Sequence, residues 1–246
     1  MPQGSEKRFP LIASLALASA IALAGCGASS AASPPITAQA NGTPTSTKMA
    51  ADPSTGTSTQ STGARSHAAA QTLGPEGIPL ETGRQLAPAS TTAPGKTVDG
   101  IQCAPLEQLA YHIHIHLQVY VHGQPRKLPA AIGLVGPVAQ QTPNGPFYGA
   151  QTCYYWLHTH TYDGIIHVES PTARIYTLGN FFDEWRQPLS SHQVAHARGT
   201  VHAIVNGRRW TNSPRSIPLK KHNVIELAVG KPIPPFHKVN WGPSGL

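Results

Sequence analysis

Polar and apolar residues alternate strictly from Tyr111 to Val121, and this alternation constrains the fold more than any other feature of the 246-residue chain. The polar positions are His112, His114, His116, Gln118 and Tyr120, and the apolar positions between them are Ile113, Ile115, Leu117, Val119 and Val121. Successive side chains of a β-strand point to opposite faces of its sheet. The segment is therefore predicted to be a strand that packs its apolar face on a core and carries three histidines on the other face.

A second alternating segment, Gln151–Thr161, ends at Tyr162-Asp163-Gly164, and Ile165–Glu169 follows as its predicted hairpin partner. Asp-Gly favours the positive backbone φ angles of tight hairpin turns. The same turn chemistry is present at Asn206-Gly207, after the alternating segment Thr200–Val205. Short strands separated by such turns predict a mainly β fold, which we expect to be a single antiparallel β-sandwich or an open barrel.

Composition divides the chain at about residue 97. Residues 26–97 are dominated by Ser, Thr, Ala, Pro and Gly and contain no Phe, Trp or Tyr, so they cannot bury enough apolar surface to offset their chain entropy. They are predicted to form a disordered stalk. Residues 98–246 are predicted to form one His-rich β-domain, in which Gly179–Trp185 is the one short helix and Asn180 its N-cap.

The N-terminus has the three parts of a secretory signal. Lys7 and Arg8 precede the apolar run Phe9–Ala24, and Leu23-Ala24-Gly25-Cys26 follows with small residues. This last string resembles the lipobox of bacterial lipoproteins, which implies removal of residues 1–25 and lipid attachment to Cys26. The mature chain is then expected on the outer face of a bacterial membrane. The alternative is an ordinary signal peptide with an incidental cysteine.

The remaining cysteines, Cys103 and Cys153, form a pair in a chain expected to meet oxidants after export. We predict a disulfide between them that closes a loop of about 50 residues and contributes on the order of 4 kcal/mol. The alternative use of either thiol is metal ligation.

The chemistry-bearing residues lie in three short strings with a spacing of two. They are His112, His114 and His116, then His158 and His160, then His167 and Glu169. A spacing of two on a strand puts the members of each string on one face, roughly 6.6 Å apart, and imidazoles at that separation can converge on one ion. The six histidines are therefore predicted metal ligands. The alternative is a solvated polar face without a metal.

Imidazole-rich sites with few carboxylates suit Zn or Cu better than Mg or Ca, and the sequence does not separate the first two. A zinc ion with three imidazoles and an open position would generate hydroxide for hydrolysis, and a copper ion could bind or oxidise. Glu169 is the predicted general base if it is not a ligand, with Asp163 as the alternative.

Four short sequence strings of this chain resemble motifs of other proteins. They are Tyr-His-Ile-His-Ile-His-Leu at 111–117, Cys-Tyr-Tyr-Trp-Leu-His-Thr-His at 153–160, Gly-Ile-Ile-His-Val-Glu-Ser-Pro at 164–171 and Thr-Leu-Gly-Asn-Phe-Phe-Asp-Glu-Trp at 177–185. Together they resemble the motifs of a family of uncharacterised exported or lipid-anchored bacterial proteins. The resemblance implies that Cys153 and the His/Glu strings belong to a recurring domain type. It implies no substrate.

Three functions follow as hypotheses. The first is a surface-tethered domain that binds Zn or Cu, and the second is a hydrolase or oxidase that uses the same histidines. The third is an adhesion or interaction domain without metal. The formal net charge of +7 comes from basic residues scattered singly or in pairs, and no nucleic-acid-binding motif accompanies them, so we do not expect a nucleic-acid partner.

Overall fold

The computed structural model describes residues 72–89 and 94–246. The predicted signal peptide, the predicted lipidation residue Cys26 and the predicted stalk up to residue 71 lie outside the described residues.

Short strands make up most of the regular structure in this part of the chain. They are β1 (Arg84–Gln85), β2 (Cys103–Ala104), β3 (Tyr111–Val121), β4 (Gln124–Lys127), β5 (Leu134–Thr142), β6 (Gly145–Tyr155), β7 (Leu157–His158), β8 (Ile165–Ser170), β9 (Tyr176–Thr177), β10 (Leu189–Ser190), β11 (Gln193–Val194), β12 (Ala197–Arg198), β13 (Val201–Val205), β14 (Arg208–Trp210), β15 (Pro218–Leu219) and β16 (Val224–Val229). The helical elements of the described residues are α1 (Leu178–Glu184) and one turn of 3-10 helix, Pro214–Ser216. The mainly β prediction with one short α-helix is confirmed.

The largest sheet is built around β3. Its strand order is β1-β4-β3-β16-β13-β14, with β8 also paired to β3 and β7 paired to β8. The pairings of β3 with β16 and of β1 with β4 are parallel, so this sheet is mixed and not purely antiparallel. Alternation along a strand reports which face is buried, but it does not report the direction of the neighbouring strand. The sheets of the described residues do not close into a barrel.

The apolar face of β3 packs in the core as its alternation predicts. Ile115, Leu117 and Val119 are almost completely buried there, together with the aromatic side chains of α1 and the residue after it. Burying a side chain of this kind contributes roughly 1.5–3 kcal/mol. The histidine face is also largely covered, because His114 and His116 are buried. The central strand therefore separates an apolar core from a buried polar layer.

Helix α1 begins two residues before the predicted N-cap. Thr177 is the N-cap, since its side-chain oxygen accepts a hydrogen bond from the backbone N–H of Asn180, and the Asn180 side chain accepts one from the backbone N–H of Thr177. This reciprocal arrangement is a capping box. The prediction of Asn180 as N-cap is wrong because Asn180 is the third residue of the first turn.

The segment 72–89 is folded onto the domain, so the predicted boundary at residue 98 is too late. Ile78 is 1% exposed, Leu86 belongs to the core, and the indole N–H of Trp185 donates to the carbonyl oxygen of Pro88 at 2.8 Å. The segment was predicted to be stalk because it has no aromatic residue. Ile78 and Leu86 nevertheless bury their side chains, and the backbone of the segment is hydrogen-bonded to the loop and strand residues beside it.

The predicted disulfide between Cys103 and Cys153 is present, with Cα atoms 5.3 Å apart. It joins β2 to β6, which are also paired as strands. In the part of the chain that the structure describes, no helix has the length and apolar character needed to span a bilayer.

Candidate metal centre

Three neighbouring strands carry histidines into one row across the sheet. His114 on β3 lies opposite His167 on β8, and His158 on β7 lies opposite the same His167. Residues directly opposite each other on paired strands point to the same face. The row explains how residues about 50 positions apart in sequence come together: a long central strand pairs with a hairpin that also carries histidines.

Glu169 and His160 extend this row into a cluster. Glu169 lies two residues beyond His167 on β8 and is opposite His112. His160 follows β7 in the loop before β8, and its ring centroid is 4.5 Å from that of His167. The hairpin was predicted to bring His160 beside His167, and it does so. The residue that is paired directly with His167 across the two strands is His158.

The imidazoles of His158 and His160 meet through their Nε2 atoms, which are 3.1 Å apart. The other nitrogen of each ring faces a backbone carbonyl oxygen of β6. Nδ1 of His158 is 2.8 Å from the oxygen of Tyr155, and Nδ1 of His160 is 2.6 Å from the oxygen of Tyr148. A carbonyl oxygen only accepts hydrogen bonds, so both Nδ1 atoms carry the proton. Both Nε2 atoms then present lone pairs to each other.

Two lone pairs at this distance repel unless a cation lies between them. A proton is disfavoured as that cation, because burial lowers the pKa of His160 to about 4 and lowers the pKa of His158 well below its usual value. Metal-ligating histidines usually donate their second ring N–H to a carbonyl or carboxylate. The two rings therefore have the orientation of a ligand pair.

The carboxylate of Glu169 lies beside this pair. Its Oε2 is 3.7 Å from Nε2 of His158, and its Oε1 is 2.9 Å from Nε2 of His112 and 3.4 Å from Nδ1 of His167. Oε2 is buried and has no hydrogen-bond partner among the described residues. A buried carboxylate oxygen without a donor costs free energy, and a metal ion would remove that cost.

His158, His160, His167 and Glu169 each offer a ligand atom within 4.8 Å of those of the other three. Bonds of about 2.0–2.1 Å to a tetrahedral ion place neighbouring ligand atoms about 3.4 Å apart. The separations of 3.1 Å and 3.7 Å measured from Nε2 of His158 lie on either side of that value. The buried His/Glu cluster can thus hold a metal ion with only small side-chain movements.

Glu76 orients His167 from the N-terminal segment. Its Oε1 is 2.6 Å from Nε2 of His167, and this contact leaves Nδ1 of the ring for an ion. Burial opposes both charges, yet the ion pair lowers the pKa of Glu76 to about 2 and raises the pKa of His167 to about 10. Glu76 is not recognisable from the sequence, because it stands alone within a segment predicted to be stalk and no motif marks it.

Two further carboxyl groups border the cluster. Oε1 of Glu107, a second residue missed from the sequence, is 3.6 Å from Nε2 of His160. Asp163 is completely buried and accepts a hydrogen bond from the backbone N–H of Ile165. Burial, followed by the neighbouring charge of Glu76, raises the pKa of Asp163 to about 8. Asp163 belongs to neither ligand group found among the described residues.

A second ligand group shares one member with the first. His112, His114 and His167 offer nitrogen atoms that all lie within 4.8 Å of one another. The side chain of His112 is 36% exposed, whereas Nε2 of His114 is buried and has no hydrogen-bond partner in the described part of the chain. This group lies on the side of the cluster that reaches solvent.

His116 lies outside both groups. It is opposite Ile165, one position beyond His114 on the same face of β3, and its side chain lines a separate cavity of about 520 Å³ together with Glu81 and Tyr120. Of the six predicted ligands, the structure thus brings together His112, His114, His158, His160 and His167. Strand alternation gives the face on which His116 lies but not its distance from the hairpin that carries the other ligands.

Comparison of the chain with protein-family models, with curated proteins and with solved structures finds no match. The resemblance of its motifs to a family of exported bacterial proteins therefore stays a prediction. The geometry of the cluster itself points to a metal centre.

Proposed function

We propose that this chain is an exported lipoprotein whose β-domain binds a zinc or copper ion through His158, His160, His167 and Glu169. One observation carries the metal-binding part of the proposal. The two Nε2 atoms of His158 and His160 face each other at 3.1 Å, in rings whose Nδ1 atoms are already committed to carbonyl oxygens. This arrangement needs a cation between the rings.

The donor set supports Zn or Cu. Three imidazole nitrogens and one carboxylate suit these ions, whereas Mg and Ca prefer sites made mostly of oxygen atoms. Four protein ligands complete the tetrahedral coordination that is usual for a closed, non-catalytic zinc site. All four side chains are buried, and Glu169 lies at ligand distance. These facts favour a role of Glu169 as a metal ligand and not as a general base. They also favour a site that binds the ion without catalysing a reaction.

The second part of the proposal is the cellular setting. Lipid on Cys26 would tether the domain to the outer face of a membrane, where metal ions arrive from the environment. The disulfide between Cys103 and Cys153 is consistent with an oxidising compartment. A Cys26→Ala variant is expected to lose incorporation of labelled fatty acid and to leave the membrane fraction. Equal labelling of this variant and the parent chain would refute the lipoprotein assignment.

The metal site is tested by measuring the metal content of chain purified without a polyhistidine tag. We expect at least one Zn or Cu ion per chain that survives dialysis against a weak chelator, and we expect His158→Ala/His160→Ala to lose that ion. The matched control is His192→Ala/His196→Ala, because these two histidines are exposed and lie outside the cluster. Chain without bound Zn or Cu, also after incubation with each ion, would contradict the proposal.

A further inference from the structure

We propose that the cluster holds two metal ions, with a second ion bound by His112, His114 and His167 while the first is bound by His158, His160 and Glu169. This inference rests on the proposed function, because it places the second ion beside the first. It goes further by assigning a separate ligand role to the two histidines of β3.

The two sets can coexist because the shared member, His167, is not essential to the first set. Without it, His158, His160 and Glu169 still offer three ligand atoms within 4.8 Å of one another. His167 then completes the second set, in which three nitrogens also lie within that distance. A single ion would use His167 together with His158, His160 and Glu169, as in the proposed function. When a second ion binds, His167 is its ligand, and the first ion keeps three protein ligands.

Unpartnered nitrogen atoms point to an ion at the second position. Nε2 of His114 is buried without a hydrogen-bond partner among the described residues, in a residue that is only 6% exposed. Nδ1 of His167 is also buried, and the carboxylate oxygen facing it is 3.4 Å away. The rings of His114 and His167 meet edge to face with their centroids 4.6 Å apart. Buried polar atoms in folded proteins almost always have a partner.

The carboxyl groups around the cluster favour more than one divalent ion. Four carboxyl groups surround the imidazoles: Glu76 contacts His167, Glu107 contacts His160, Glu169 contacts both His112 and His158, and Asp163 interacts with Glu76. The imidazoles are neutral ligands when they bind metal. The three glutamates contribute three negative charges, which exceed the two positive charges of one divalent ion and so favour a second ion beside the first.

Glu169 lies between the two sets. Its Oε2 faces His158 of the first set, and its Oε1 faces His112 of the second. Paired metal ions in proteins usually lie about 3.5–4 Å apart, and a carboxylate between them offsets their mutual repulsion. A carboxylate with one oxygen toward each set of histidines is suited to that role.

Exposure distinguishes the two ions. The side chain of His112 is 36% exposed, whereas the side chain of His158 is fully buried. The second ion is therefore expected to exchange with solvent faster than the first. A chelator should remove the bound ions in two kinetic phases, with the solvent-side ion leaving first.

The experiment is a stoichiometric titration of the tag-free chain with Zn²⁺, followed by metal analysis of the saturated protein. We expect two ions per chain, and we expect one ion in His112→Ala/His114→Ala. The control variant His192→Ala/His196→Ala should keep two. Saturation at one ion in the parent chain, or two ions in His112→Ala/His114→Ala, would overturn the inference while leaving the proposed function intact. Saturation at zero ions would overturn both.

Spectroscopy gives an independent readout of the same inference. With Cu²⁺ as the probe, two ions about 4 Å apart give a spin-coupled electron paramagnetic resonance spectrum with a half-field transition. The more conservative His112→Gln variant guards against misfolding, because this side chain is partly exposed and can be replaced at little cost to packing. We expect the coupled signal in the parent chain and an isolated-ion signal in this variant. An isolated-ion signal from fully loaded parent chain would contradict the two-ion arrangement.

Discussion

The Nε2 atoms of His158 and His160 face each other at 3.1 Å, and Nδ1 of each ring donates a hydrogen bond to a backbone carbonyl oxygen of β6. The same strand carries Cys153 of the disulfide. The carbonyl oxygens of β6 therefore help to hold the two rings in the orientation of a ligand pair. A site formed in this way loses little conformational entropy when it binds a metal.

Metal binding should stabilise the fold. A ligand at 100 times its dissociation constant adds about 2.7 kcal/mol to the free energy of unfolding, which corresponds to a rise in Tm of roughly 5–11 °C for a domain of this size. Thermal unfolding of chelator-treated chain with and without Zn²⁺ measures the rise. His158→Ala/His160→Ala should lose most of it, and His192→Ala/His196→Ala should keep it. Equal rises in all three proteins would refute the assigned ligands.

Metal binding should release a proton from His167. The pKa of His167 is raised to about 10 by Glu76 and Glu169 against the opposing effect of burial, so the ring is charged at pH 7 in the metal-free chain. A ligating imidazole must be neutral, so about one proton leaves for the ion that it binds. Calorimetric titration in buffers with different ionisation enthalpies gives the number of protons.

Glu76→Gln provides the matched control for this proton release. Glutamine keeps a carbonyl oxygen for the Nε2 proton of His167 but removes the charge that raises its pKa. The variant should therefore release far less than one proton at pH 7. Unchanged proton release in the variant would mean that His167 does not ligate the ion, or that Glu76 does not set its charge.

Removing the disulfide should destabilise the domain. The loop between Cys103 and Cys153 spans 50 residues, and closing a loop of this length contributes on the order of 4 kcal/mol by chain entropy. Denaturant unfolding of Cys103→Ser/Cys153→Ser measures the loss. Parent chain treated with reductant should approach the stability of the variant. A loss below about 1 kcal/mol would show that strand pairing between β2 and β6 suffices without the covalent link.

Glu184 should make stability depend on pH. Its side chain is completely buried, and burial raises its pKa well above the usual value for a glutamate. The folded chain then keeps a proton that the unfolded chain loses above about pH 4.5, so the free energy of unfolding falls as pH rises, by up to about 1.4 kcal/mol per pH unit. Glu184→Gln should match the parent near pH 4 and be more stable at pH 8. A stability difference that does not change with pH would contradict this assignment.

Local pattern was enough to predict the elements that build the site. Alternation along β3 predicted its length and both of its faces, and the Asp163-Gly164 turn predicted the hairpin that brings β8 beside β7. The spacing of two predicted that His158 and His160 lie together, and they do. These features depend on neighbours in sequence, and the structure retains them. The predicted single strand Gln151–Thr161 is wrong, however, because it is divided between β6 and β7 and His160 lies in the loop after β7.

Other features depend on contacts between distant parts of the chain. Glu76 reaches His167 across 91 residues, and nothing in its surroundings marks it as functional. The parallel pairing of β3 with β16 is set by the path of the chain and not by alternation. His116 follows the same spacing as His112 and His114. It is paired with Ile165, however, and lies outside both ligand groups. Each of these outcomes required the tertiary structure.

The most direct test of the metal centre is a crystal structure of the zinc-loaded chain with anomalous diffraction recorded on both sides of the zinc absorption edge. We predict an anomalous peak about 2.0–2.1 Å from Nε2 of His158 and from Nε2 of His160, with a carboxylate oxygen of Glu169 at a similar distance. An anomalous peak located only elsewhere in the fold, or the absence of any peak between these two rings, would contradict the account.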